Sequence, residues 1–170
     1  MNRREVLLSG VALSLAGTVG TRAFAQGGEV LIGCIWPLTG PTAQIGADAR
    51  HALETAVDIV NGSHDLDLPT AKNAGLAGLG NAKIKLVFAD HQGDPQKGRA
   101  EAERLITQDK VVAICGAFHS SVSATVSASC ERYGIPYLAA DSSSPSLHRR
   151  GLKFFFRAAA HDEMFSLAMF

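Results

Sequence analysis

Short apolar runs that alternate with helical patterns constrain the fold of this chain more than any other feature. Residues 29–36 are almost continuously apolar and end at Pro37, so they predict a strand that is covered on both faces. The predicted strands are 29–36, 83–89, 111–117, 135–140 and 153–157, and the predicted helices are 46–61, 95–108, 120–133 and a last helix that begins at Asp162. Strands and helices in this order form a parallel sheet with right-handed crossovers. The expected fold class is α/β, a doubly wound parallel sheet with helices on both faces.

Local signals mark the ends of these helices. Asp94 directly precedes a proline and is placed to cap the second helix, and Gly134 is placed to end the third. Ser120 or Ser121 is expected to cap the start of that third helix. Residues 62–82 are rich in glycine and show no periodicity, so they predict a surface excursion.

Polar residues that follow the third and fourth strands suggest where a ligand binds. Ligands of doubly wound sheets bind beyond the carboxyl ends of the strands. Ser120 and Ser121 offer hydroxyl groups at a helix N-terminus, which attracts a carboxylate, although the alternative is that they only cap their own helix. Asp141 offers a carboxylate to an ammonium group, or alternatively caps the serine-rich turn that follows it.

The N-terminus carries the pattern of an export signal. Arg3 and Arg4 precede an apolar stretch at residues 6–19, and residues 23–25 read Ala-Phe-Ala, the small-x-small pattern that signal peptidase accepts. The apolar stretch is shorter than the roughly 20 residues that a membrane-spanning helix needs. We therefore predict a signal peptide at residues 1–25 and a periplasmic location, with export by the twin-arginine or the Sec route.

Composition excludes several classes of function. The net charge is zero, which predicts no nucleic-acid partner. The histidines show no paired metal-ligand spacing, so neither a metal nor another cofactor is expected. Cys34, Cys115 and Cys130 match no zinc or thioredoxin pattern and are interpreted as small buried hydrophobes, with one disulfide left as an alternative.

Five stretches resemble the type I periplasmic binding proteins of the leucine/isoleucine/valine-binding family. They are PLTGPTAQIG at 37–46, DHQGDP at 90–95, GAFHSS at 116–121, YGIP at 133–136 and DSSSP at 141–145. The similarity runs in uninterrupted order over residues 29–170. It implies a clamshell of two lobes, with residues 26–160 as the first lobe and 161–170 as the start of the crossover, so the chain is expected to be a fragment that is truncated before the second lobe.

The resemblance also implies a function and roles for individual residues. The expected function is that of a non-catalytic solute-binding component of an ABC importer, which binds branched-chain or other amino acids and has a permease and an ATPase as partners. Ser120 matches the residue whose hydroxyl and N–H bind the ligand carboxylate, Ser143 matches a contact to the head group, and Asp141 matches a residue whose carbonyl accepts from the ammonium. Ile45 and Phe118 match residues whose side chains form the walls of the ligand pocket. The complete predicted ligand-binding set is Ile45, Phe118, Ser120, Ser121, Asp141, Ser142 and Ser143.

One departure from the family concerns a disulfide. The relatives place cysteines where this chain has Gly93 and His119, so that bond is missing here. Because a single lobe holds half of the ligand contacts, this chain by itself is expected to bind weakly or not at all. It is also expected to expose apolar surface that the C-terminal segments of relatives cover.

Three alternatives remain beside this interpretation. The first is that the chain keeps this fold but belongs to the ligand-sensing domain of a receptor. The residues from Thr39 to Thr42 resemble a phosphate-binding loop, which would suit a flavodoxin-like redox carrier. His119 beside serines suggests a hydrolase, but the chain has no G-x-S-x-G motif, and we expect no enzymatic activity.

Overall fold

The structure, a computed structural model, describes residues 28–170. The predicted signal peptide at residues 1–25 lies outside the described residues. The described part forms a five-stranded sheet in the order β2-β1-β3-β4-β5, and every neighbouring pair of strands is parallel. The predicted fold class, a doubly wound parallel α/β sheet, is confirmed.

Strands and helices alternate as the sequence predicted. The strands are β1 (Glu29–Trp36), β2 (Lys83–Asp90), β3 (Ala113–Gly116), β4 (Tyr137–Ala139) and β5 (Phe155–Arg157). The α-helices are α1 (Ala43–Asn61), α2 (Pro95–Thr107), α3 (Ser120–Tyr133) and α4 (Asp162–Met169), and short 3₁₀ helices span Ala77–Leu79 and Pro145–Arg150. Helix α1 begins three residues before its predicted start at residue 46, and the last three strands are shorter than predicted.

Local chemistry sets the ends of α2 and α3. The Asp94 carboxylate accepts a hydrogen bond of 2.8 Å from the backbone N–H of Lys97, and proline occupies the first turn. Gly134 takes a left-handed conformation with φ of 67° at the end of α3, where its N–H bonds back to the last turn. Both ends confirm the sequence predictions.

The two faces of the sheet are covered unequally. Helices α2 and α3 pack on one face over a continuous core that includes Leu105, Ile114 and Val126. On the other face α1 packs near β2, and beside it lies an apolar groove of about 460 Å³. Leu138 and Phe156 at this groove are 41% and 52% exposed, so this face of the sheet presents apolar side chains.

Residues 62–82 form the predicted surface excursion. Most of their side chains are exposed, but Ala71 and Ala82 are buried, and an isolated bridge joins Leu76 to Ala82. The excursion leaves from the end of α1 and returns to the start of β2, away from the carboxyl edge of the sheet. Among residues 28–170, none of the helices combines the length and the apolar character that crossing a bilayer requires.

The order of the strands creates a crevice at the carboxyl edge. Strand β1 lies between β2 and β3. The chain therefore adds β2 next to one edge of β1, and then crosses back over β1 to add β3 next to its other edge. In open α/β sheets such a reversal of direction opens the crevice in which ligands bind. The loops that follow β1 and β3 border this point.

Candidate functional site

The N-terminus of α3 lies at the crevice, directly after β3. The helix begins at Ser120, His119 occupies the N-cap position, and no side chain of the described residues caps the helix. The prediction that Ser120 or Ser121 caps α3 is therefore wrong. Ser120 is already inside the helix, and its hydroxyl oxygen instead accepts a hydrogen bond of 3.2 Å from the N–H of Ser144. This helix end thus presents positive backbone N–H groups that no side chain satisfies.

The loop after β4 supplies further polar groups beside α3. Because Ser120 uses its oxygen as an acceptor for Ser144, its hydroxyl proton stays available to a ligand. Within residues 28–170, the Asp141 carbonyl accepts no hydrogen bond from another backbone N–H. Partial burial raises the pKa of the Asp141 carboxyl, against the opposing effects of its own N–H and of nearby His119.

Arg157 on β5 fixes the orientation of this loop. Its guanidinium donates to the carbonyls of Ser142 and Ser144, the latter at 2.7 Å. The N–H of Asp162 donates to the carbonyl between them, that of Ser143, at 3.0 Å. Three successive carbonyls are thus held by β5 and the start of α4. Nothing in the local sequence pattern pointed to this role for Arg157.

Ser142 belongs to a buried network and not to the surface of the crevice. Its hydroxyl, in a residue that is 1% exposed, bonds to the carbonyl of Ala117 and to the hydroxyl of Ser123 at 2.5 Å. The hydroxyl of Tyr137 lies 2.8 Å from that of Ser123 and accepts a 2.7 Å hydrogen bond from the N–H of Ala117. Burial raises the pKa of Tyr137 above its usual value, so its hydroxyl stays neutral. The network holds the loops after β3 and β4 together.

We expect Tyr137→Phe to lower the free energy of unfolding by about 1–2 kcal/mol, because it leaves the buried N–H of Ala117 without an acceptor. Urea unfolding followed by circular dichroism measures this loss. Tyr133→Phe is the matched control, since Tyr133 is 41% exposed and, within residues 28–170, its hydroxyl bonds only to the Arg132 side chain. An equal loss in both variants would contradict the role of the buried hydroxyl.

Asp90 closes the loop that follows β1. Its carboxylate accepts from the N–H of Leu38 at 2.9 Å, the hydroxyl of Thr39 at 2.5 Å and the N–H of Gln92 at 2.9 Å. Burial alone would raise the pKa of Asp90, but these hydrogen bonds outweigh it and lower the pKa below its usual value. The donors at Leu38 and Thr39 are thus already bound to an internal anion. This arrangement disfavours the phosphate-binding loop of a flavodoxin-like protein.

Two histidines meet behind the start of α3. The Nδ1 of His91 accepts from the N–H of Gly93 at 2.9 Å, so its proton resides on Nε2, which has no partner among the described residues. The ring of His119 lies edge-to-face against it, with 5.4 Å between the centroids. Burial, and then the neighbouring His119, lowers the pKa of His91 to about 4. A Cβ on Gly93 would lie 3.7 Å from the ring of His119, so these two positions are neighbours in the structure.

The predicted residues all lie on the loops and first helical turns at the carboxyl edge, but only some are in direct contact. Ser120 contacts the loop after β4 through Ser144, and Ser142 reaches the carbonyl of Phe118 at 3.3 Å. Ile45 lies in the first turn of α1, half-buried, and the half-buried ring of Phe118 stands edge-to-face against His119. In residues 28–170, His, Cys, Asp and Glu side chains form no cluster of three that could hold a metal ion.

Comparisons with known proteins agree with this architecture. The Leu/Ile/Val-binding protein homolog 3 of Brucella melitensis is 33% identical over 156 residues, which are 92% of this chain and 38% of that protein. An amino acid binding protein of Pseudomonas aeruginosa is 30% identical over 153 residues, 90% of this chain and 37% of that protein. The chain therefore spans less than two fifths of these curated relatives.

Solved structures share the fold over a similar part. The leucine binding protein LivK of Thermotoga maritima aligns with a TM-score of 0.67 and 23% identity, over 82% of this chain and 35% of that one. The branched-chain amino acid transporter substrate binding protein LivJ of Streptococcus pneumoniae, solved in complex with isoleucine, aligns with a TM-score of 0.64 and 23% identity, over 79% of this chain and 34% of that one. A family model described as periplasmic binding protein matches residues 29–169. The chain thus belongs to the periplasmic binding protein family, and it has the type I fold of its leucine/isoleucine/valine-binding members.

Proposed function

We propose that this chain supplies the first lobe of an extracytoplasmic solute-binding protein that delivers branched-chain or other amino acids to an ABC importer. One observation carries the proposal: the uncapped N-terminus of α3, with the hydroxyl of Ser120, opens at the crevice of the parallel sheet. The relatives that are named Leu/Ile/Val-binding proteins support the choice of ligand class.

The start of α3 is suited to the carboxylate of an amino acid. Backbone N–H groups and the positive end of the helix dipole favour an anion at this place. The hydroxyl of Ser120 can donate to the same anion, because its oxygen already accepts from Ser144. Ser121 is exposed in the same turn and adds a second hydroxyl.

The loop after β4 is suited to the ammonium group. The carbonyl and the carboxylate of Asp141 are both acceptors, and a charge-assisted hydrogen bond to an ammonium is among the strong ones. Ser143 is half-buried on the same loop and adds a hydroxyl. Ser142 does not face the ligand in this proposal; its hydroxyl positions the loop through the buried hydrogen-bond network. In this proposal Ile45 and Phe118 form apolar walls for the side chain of the ligand.

Binding by one lobe is expected to be weak. Family members close two lobes over a ligand, and contacts from both lobes stabilise the closed state. We expect L-leucine to bind this chain with a Kd in the millimolar range, which corresponds to about −4 kcal/mol. Titration of the ¹⁵N-labelled chain, monitored by NMR, should shift the amide signals of Ser120, Ser121 and Ser143. Micromolar affinity in calorimetry would overturn the expectation for a single lobe.

Two controls test the carboxylate assignment. L-leucinol, which has a hydroxymethyl group in place of the carboxylate, should bind at least tenfold more weakly. Ser120→Ala should raise the Kd for L-leucine about tenfold, since a hydrogen bond to a charged group contributes about 1.5 kcal/mol or more. Ser166→Ala on α4 is the matched control and should leave the Kd unchanged. Equal shifts with leucine and leucinol, or no shift at α3 with either, would refute the proposed site.

A further inference from the structure

Two cysteines meet in the middle of the sheet. Cys34 on β1 and Cys115 on β3 are direct partners in the strand register, and their Sγ atoms are 3.6 Å apart. Both belong to the apolar cluster under α1, and both are free thiols in the structure. We propose that Cys34 and Cys115 form a disulfide that cross-links β1 to β3.

The geometry suits this bond. Neighbouring strands lie about 4.8 Å apart, and disulfides join Cα atoms that are about 4.4–6.8 Å apart. The sulfur atoms need to approach by roughly 1.5 Å to reach the bond length of about 2.05 Å, which small side-chain rotations can supply. Cys130 is buried in the core on the opposite face of the sheet, among residues of α2 and α3. Of the three cysteines, the strand register therefore brings only Cys34 and Cys115 close together.

The open face of the sheet gives an oxidant access to one of the sulfurs. Cys115 lines the apolar groove and is 9% exposed, whereas Cys34 is 0% exposed. The contact with Cys115, together with burial, raises the pKa of Cys34, while the same contact lowers that of Cys115. Cys115 is thus the thiol that a small oxidant meets first.

The reaction is a thiol–disulfide exchange with a small disulfide such as oxidised glutathione. The Cys115 thiolate attacks one sulfur of the oxidant, forms a mixed disulfide with that half of the oxidant and releases the other half as one glutathione thiolate. The Cys34 thiol then transfers its proton to the released glutathione thiolate, and its sulfur attacks the Cys115 sulfur and releases the second glutathione. The two cysteines lose two protons and two electrons, and the oxidant becomes two reduced thiols.

The cross-link would lie just below the crevice. Cys115 directly precedes Gly116, the last residue of β3, and Cys34 lies two residues before the end of β1. A bond between them fixes the spacing of the two strands whose loops border the proposed ligand site. That the protein meets an oxidising environment depends on the proposed extracytoplasmic function. That Cys34 pairs with Cys115 depends only on the register of the strands.

Oxidation of the purified chain with oxidised glutathione tests the proposal. After denaturation, thiol titration should find one free thiol per chain in place of three, and the mass should fall by two hydrogens. Peptide mapping should join the peptides of Cys34 and Cys115. Cys130→Ala is the matched control, and its oxidised form should retain no free thiol.

Three free thiols after oxidation, or a bond that involves Cys130, would overturn the proposal. Bonds only between separate chains would overturn it as well. These outcomes are independent of the leucine titration, because thiol counting does not depend on a ligand. A chain that forms the bond but shifts no α3 signal with leucine would refute the proposed function and leave the cross-link standing.

Discussion

Replacement of Gly116 by alanine is expected to lower the free energy of unfolding by at least about 3 kcal/mol, a large part of the 5–15 kcal/mol that stabilises a typical domain. Gly116 ends β3 with φ of +136°, a backbone conformation that residues with a side chain rarely adopt. A Cβ at this position would lie 2.0 Å from the carbonyl oxygen of Ile35 on β1. Backbone atoms of a central strand have little room to move, so the two strands would have to separate.

Urea unfolding followed by circular dichroism measures this effect, and Gly78→Ala is its control. Gly78 lies in the exposed 3₁₀ helix of the surface excursion, and nothing is found within 4 Å of the place where its Cβ would be. That control should change the stability by less than about 1 kcal/mol. A Gly116→Ala chain that fails to fold while Gly78→Ala folds supports the prediction. A loss below about 1 kcal/mol for Gly116→Ala would contradict it.

Much of the fold could be predicted because its signals are local. The apolar run at residues 29–36, the Asp94 cap and the Gly134 stop each act within one or two helical turns or along one strand. Alternation of such elements then leaves few topologies, since parallel crossovers have one handedness. The alternation therefore predicts a parallel sheet with its loops at the carboxyl edge, whereas the strand order depends on contacts between strands that no local signal encodes.

The candidate site could be predicted only in part, because its geometry depends on contacts that are distant in sequence. The sequence predicts that Ser120 or Ser121 caps α3, but the hydroxyl oxygen of Ser120 accepts from the N–H of Ser144, 24 residues later. Asp90 binds Leu38 and Thr39, more than 50 residues away. No local pattern encodes which of several serines or carboxylates will meet such a partner. The sequence thus predicted the edge of the sheet at which the polar groups gather, but not their hydrogen bonds.

Acidification is expected to weaken the fold through His91. In the native state the pKa of His91 is lowered to about 4, from an ordinary value of 6.5. The first cause is burial, since His91 is 0% exposed, and nearby His119 and Lys97 act in the same direction. Asp90 acts in the opposite direction and reduces the shift.

The sign of the effect follows from proton binding. Between pH 6.5 and pH 4 the unfolded chain binds a proton at His91 and the native chain does not, so stability rises with pH across this interval. The contribution of neutral His91 is complete above pH 6.5 and is lost as the pH falls to about 4. A shift of this size corresponds to about 3 kcal/mol.

His91→Asn isolates this contribution. An asparagine side-chain oxygen can accept from the N–H of Gly93 as the imidazole Nδ1 does, but it does not titrate. Between pH 7 and pH 4 the wild-type chain should lose about 3 kcal/mol more stability than His91→Asn, as measured by urea unfolding at each pH. His51→Asn on the exposed side of α1 is the matched control and should lose as much as the wild type. If His91→Asn and the wild type lost the same amount, protonation of His91 would not be the cause, and the buried His91 ring would only fill space against His119 at the start of α3.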